Sequence, residues 1–105
     1  MEIDLLYFDG CSAWQSGLEN LKAALKAEGL EAGIRLVQVQ DDAEAARLKL
    51  LGSPSFRAEG LDLWPEERKR YYLSCRLYNT PHGLKGAPTV EMLRAKLRLQ
   101  HPKNS

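Results

Sequence analysis

The hydrophobic period of this chain changes three times within its first fifty residues, and that alternation constrains the fold more than any other feature. Ile3, Leu5, Leu6, Tyr7 and Phe8 form a β-prone run that the turn signal Asp9-Gly10 closes. From Ser12 the spacing becomes helical through Trp14, Leu18, Leu21 and Leu25, with Gly29 standing where a C-cap is expected. Gly17 weakens that helix by about 1 kcal/mol relative to alanine, which a packed apolar stripe offsets. Ile34 to Val39 returns to strand character. Asp41 and Glu44 then stand at capping-box spacing and open a helix with Ala45, Leu48 and Leu51 inward, stopped by Gly52. Two strands joined through a helix are expected to run parallel with a right-handed crossover.

The second half is less regular. Ser53-Pro54 leads into a short candidate strand, Ser55 to Glu59, with Phe56 and Ala58 on one side. Residues 60–70 read as a polar loop around Leu61, Leu63 and Trp64, and the mixed charges of Glu66 to Arg70 as a solvated face. Tyr71 to Tyr78 restores strand character and is expected to pair with the third strand as an antiparallel hairpin. Asn79 to Gly86 is turn-rich, Pro88 suits a first helical turn, and Val90, Leu93 and Leu97 share one face of a final helix. The order is β-α-β-α-β-β-α, an α/β fold with a four-stranded mixed sheet and helices on both faces. Residues 1–98 form the domain and 99–105 a C-terminal tail that includes His101.

A chain of 105 residues supports one modest core, and 44% hydrophobic with 28% charged residues belongs to a globular protein. Fifteen basic against fourteen acidic residues give a net charge of +1. No basic excess points to nucleic acid or a membrane surface. The N-terminus lacks a secretory pattern, and the apolar runs fall short of the roughly 18 residues a span needs. The expectation is a cytoplasmic monomer whose two cysteines are free thiols or a transient pair rather than a staple. Two cysteines and the scattered His82 and His101 offer no metal-ligand spacing, so no metal site is expected.

Cys11 admits three readings: a nucleophile, a metal ligand or a small buried side chain. Its place at the opening of a helix favours chemistry. Unpaired N–H groups and the positive dipole end stabilise a thiolate there, and can bring the pKa from about 8.5 to between ~3.5 and 7.5. Ser12 either caps the helix or donates to that thiolate. Trp14 lies on the apolar stripe, with a place beside the thiol as the alternative. Along Tyr71 to Tyr78, alternation sets Cys75 with Leu73 and Leu77 on the apolar face, against Ser74 and Arg76. A core cysteine is the reading this favours, and a resolving thiol for Cys11 is the other. Pro54 at the start of a strand is explained by an ordinary turn.

With a cysteine at the first strand-to-helix turn and Ser53-Pro54 before the third strand, the order resembles the thioredoxin fold over residues 2–98. Cys11 matches that family's active cysteine and Pro54 its cis-proline. The resemblance implies that Ser53 exposes its backbone to an extended peptide or glutathione. It also implies thiol–disulfide exchange through a mixed disulfide on Cys11, with Ser12, Trp14, Ser53 and Pro54 around the substrate. The motif departs from the family: Cys11-Ser12-Ala13-Trp14 has tryptophan where the resolving cysteine stands, and Gly10 replaces the preceding tryptophan. The second thiol would therefore come from glutathione, another low-molecular-weight thiol, or Cys75, with no resident cofactor. Gly52-Ser53-Pro54-Ser55 and Ser74-Cys75-Arg76-Leu77-Tyr78 also look like small bacterial thioredoxin-like proteins grouped with alkylmercury lyases. That likeness implies a thiol able to meet soft metals or organomercurials. A non-catalytic interaction module is the remaining rival.

Overall fold

The centre of the sheet is built by the first apolar run. In the computed structural model, which describes residues 1–100, β1 (Glu2–Tyr7) lies between β2 (Gly33–Gln38) and β3 (Ser55–Ala58), and β4 (Leu61–Asp62) completes the order β2-β1-β3-β4. β1 and β2 are parallel from Glu2↔Gly33 to Tyr7↔Gln38, joined through α1 (Ala13–Glu28). β1 and β3 are antiparallel, with Ile3 opposite Ala58 and Leu5 opposite Phe56. Between β2 and β3 runs α2 (Asp42–Leu48). A separate hairpin of β5 (Tyr78–Thr80) and β6 (Gly83–Lys85) precedes α3 (Val90–Gln100). The described residues form a mixed α/β fold with three helices and a four-stranded mixed sheet.

The pleat of β1 divides the core. Ile3 and Leu5 join Leu21, Ala24 and Leu25 of α1, Phe56 and Ala58 of β3, and Leu93 and Leu97 of α3 in one cluster. Leu6, between them in sequence, joins Val39, Ala45 of α2 and Leu50 in another. Successive side chains of a strand point to opposite faces, so α1 and α3 cover one side of the sheet and α2 the other.

Capping fixes the helix ends. Gly29 closes α1 in the left-handed region at φ 66°. Asp41 accepts the Glu44 N–H at 2.8 Å, while Glu44 reaches back to the Gln40 N–H. α2 ends earlier than expected, with Lys49 as its left-handed cap, and Leu51 is buried beyond it. Thr89 Oγ1 accepts the Met92 N–H and opens α3. That helix runs through Gln100, so the first two residues of the expected tail are helical; His101 and the residues after it lie outside those described.

The expected fourth strand is corrected. Leu61–Asp62, not Tyr71 to Tyr78, pairs with β3, across a turn at Glu59 and Gly60 whose φ values are 52° and 85°. Residues 66–77 form a strap beside the sheet, with one isolated parallel backbone bridge, Ser53↔Cys75, just ahead of β3. The turn-rich Asn79 to Gly86 carries the second hairpin.

One ion-pair group ties α1 to α3. Glu28 accepts from Arg98 Nε and Nη2 at 3.0 and 2.8 Å, and from Arg94 Nε at 2.8 Å. These bonds, Arg98's first, hold its carboxyl at about 2 against an ordinary 4.5. A depressed carboxyl stabilises the fold fully above its ordinary pKa, and the contribution fades as pH falls toward the folded value. Urea unfolding of Glu28→Gln should therefore show a shallower decline than wild type between pH 4.5 and about 2. Identical pH slopes would remove Glu28 from the acid response.

Candidate functional site

The site forms where β1 hands over to α1. After Tyr7 the chain turns through Phe8-Asp9-Gly10, and Cys11 donates its N–H to the Phe8 carbonyl at 3.2 Å. α1 opens two residues later. Ser12 is its N-cap but makes no side-chain capping bond, contrary to its commoner use, and no acidic residue stands in the first turn. The positive end of the helix beside Cys11 is thus offset neither by a side-chain cap nor by a first-turn carboxylate. Trp14 is half-buried, stacked on Tyr7 with ring centroids 4.1 Å apart, and packs against the larger core cluster.

Ser53 and Pro54 enter from the other side. The Ser53-Pro54 peptide is cis, and Ser53 is buried, accepting the Phe8 N–H on its Oγ at 3.2 Å. Gly17 lets α1 close over this turn: a Cβ there would lie 3.0 Å from the Phe56 ring and 3.3 Å from Pro54 Cγ.

The strap brings in the second cysteine. Cys75 is bonded to Cys11 across a Cα–Cα distance of 5.7 Å, so the described residues hold no free thiol. Cys75 is exposed rather than a core residue, while Cys11 is only 5% exposed. Alternation misread this stretch because its polar member faces inward: Arg76 is buried and Leu77 is 63% exposed.

Arg76 is what reverses the facing. Its Nη1 donates to both oxygens of Asp62, at 3.2 and 3.0 Å, and to Ser55 Oγ at 3.0 Å. Nη2 donates to the Trp64 carbonyl, and the guanidinium lies 5.1 Å over the Tyr78 ring. Tyr78 Oη donates to the Pro54 carbonyl at 2.6 Å, and burial pushes its phenol upward. Further out, Leu73 N–H donates to Asp42 and Arg68 to the Leu51 carbonyl. Gly52, at φ 116°, permits the close passage, since a Cβ there would lie 2.7 Å from Arg76 Cβ.

Ser53's backbone is occupied. Its N–H donates to the Ser74 carbonyl at 2.8 Å, and its carbonyl accepts the Arg76 N–H at 3.0 Å. The groups expected to meet a substrate peptide are taken by the chain's own residues on either side of Cys75. Outside the strap lies a cleft of about 480 Å³ whose walls include Trp64, Glu66, Arg68, Cys75, Leu77 and Met92.

Cys11, Ser53, Pro54 and Cys75 are therefore brought together, with Ser12 at the helix opening and Trp14 one turn on. His82 sits in the β5–β6 turn, and the described residues contain no group of three or more His, Cys, Asp or Glu able to hold a metal ion. Sequence reasoning missed Asp62 and the inward role of Arg76; the only signal was the arginine beside Cys75. No helix among the described residues is long and apolar enough to cross a membrane. No family model, curated protein or solved structure matches this chain.

Proposed function

We propose that this is a thioredoxin-like thiol–disulfide oxidoreductase in which Cys11 and Cys75 alternate between dithiol and disulfide. The observation that carries the reading is the Cys11–Cys75 bond at the uncapped opening of α1, flanked by the Ser53-Pro54 turn. A helix opening stabilises a thiolate, and a thiolate is both the nucleophile and the better leaving group in exchange. The strap supplies the second thiol that Cys11-Ser12-Ala13-Trp14 lacks. Glutathione or another low-molecular-weight thiol is the co-substrate class.

The test is to reduce the protein, add oxidised glutathione and follow intact mass. Wild type should close its own disulfide through a transient glutathione adduct. Cys11→Ser and Cys75→Ser should never close it, and any adduct they form should persist. A wild-type disulfide that yields to dithiothreitol only after denaturation would make it a staple and end the redox reading. The same two sulfurs favour one rival, since the reduced pair offers soft donors to a single thiophilic ion or organomercurial. Copper(I) retained through desalting by wild type, and lost from Cys75→Ser, would favour that rival.

A further inference from the structure

We propose that Cys75, not Cys11, is the sulfur an external low-molecular-weight thiol or disulfide attacks or is attacked by, and that Cys11 is the shielded partner that leaves and re-closes the bond. The inference rests on the exchange reading above and reverses the expected roles of the two cysteines. Exchange at a disulfide needs one sulfur that a thiolate can approach and one that departs readily as an anion. The two requirements fall on different residues here. Cys75 is exposed and stands in the wall of the 480 Å³ cleft, whereas Cys11 is 5% exposed. Cys11 adjoins the helix opening, where a departing thiolate is stabilised.

The backbone argues the same way. A peptide approaching Cys11 along Ser53 would have to displace Ser74 and Arg76 from both of its hydrogen-bonding groups. Those residues are held by the Arg76–Asp62 pair and by Leu73 on Asp42. The approach left is from the cleft, whose size is that of a small-molecule site. Trp64, Leu77 and Met92 give it apolar contact, and Arg68 and Glu66 give it charge of both signs.

The chemistry balances without another reactant. An incoming thiolate RS⁻ bonds to the Cys75 sulfur, the Cys11–Cys75 bond breaks, and Cys11 leaves with the electron pair as a thiolate. If R carries a second thiol, its thiolate attacks the R sulfur of the mixed disulfide and frees Cys75. R is then oxidised to its disulfide, the pair is reduced by two electrons, and the two cysteines end with the protons the dithiol gave up. In reverse, the Cys75 thiolate opens a small disulfide, and Cys11 attacks Cys75 to release the remaining thiol.

The experiment uses the oxidised wild-type protein. It is mixed briefly with reduced glutathione, quenched in mildly acidic urea with excess N-ethylmaleimide, which alkylates thiols at that pH while exchange is slowed, and digested for mass spectrometry. Glutathione is expected on Cys75 and the alkyl group on Cys11, with at least about a tenfold excess over the opposite arrangement. In parallel, Cys11→Ser should release thiopyridone from dithiodipyridine at least about tenfold faster than Cys75→Ser. Glutathione found on Cys11, or shared evenly, overturns the role reversal and leaves the exchange reading intact. No adduct on either sulfur, with the disulfide intact in the folded protein, overturns both.

Discussion

Arg76→Ala should lower the unfolding free energy by about 3–5 kcal/mol, because it strands a carboxylate that the fold has taken out of water. The Arg76 side chain is 7% exposed and that of Asp62 is 8%. Without the guanidinium, Asp62 keeps the Trp64 N–H at 2.7 Å as a donor, which cannot balance a buried charge. A domain of this size has a total margin of only ~5–15 kcal/mol, so the loss is a large part of it. The strap should loosen as well, since the lost side chain also donates to Ser55 Oγ and to the Trp64 carbonyl. Urea unfolding of the oxidised protein gives the number. Replacing both partners with apolar side chains of similar size should recover most of it, because no charge is then left alone. A single-mutant loss under about 1 kcal/mol would mean that water reaches Asp62 and that the pair does not anchor the strap.

Opening the Cys11–Cys75 bond should have an effect of similar size through the unfolded chain. The bond spans a sequence separation of 64, for which loop-closure entropy gives about 4 kcal/mol. The folded state should survive. Leu73 on Asp42, Arg76 on Asp62 and Tyr78 on the Pro54 carbonyl hold the strap without help from sulfur. The expected result is therefore a large drop in urea midpoint with dithiothreitol, or in Cys75→Ser, and an unchanged circular dichroism spectrum in the absence of urea. A spectrum that collapses on reduction would show that these tethers depend on the bond. That outcome would also make the proposed redox cycle a cycle of folding.

The β1 and α1 region was legible because its periods are long enough to read. Trp14, Leu18, Leu21 and Leu25 recur over about three helical turns, and the pleat of β1 separates Ile3 and Leu5 from Leu6. β4 was not legible because two residues carry no alternation, and its turn places Glu59, a residue without a marked left-handed preference, at φ 52°. The strap defeated the alternation rule for a different reason. Its inward position is filled by an arginine whose partner, Asp62, is fourteen residues away, so a charge that reads as surface is core. The place of Cys11 followed from where a strand meets a helix, whereas Pro54 beside it was expected only through the resemblance to the thioredoxin fold. The arrival of Cys75 there was not what alternation favoured, which was a core cysteine on a strand that does not exist; hydrogen bonds to Ser53 and the buried ion pair deliver it to Cys11 instead.

The position of β1 has a consequence for how the molecule is made. Its two neighbours arrive late, β2 after a whole helix and β3 only with residues 55–58, yet Ile3 must face Ala58. A ribosome therefore releases more than fifty of these residues before the middle of the sheet acquires its second partner. Until then the flank of that apolar ribbon is open to any passing strand, which is when a nascent chain most needs a chaperone's cover.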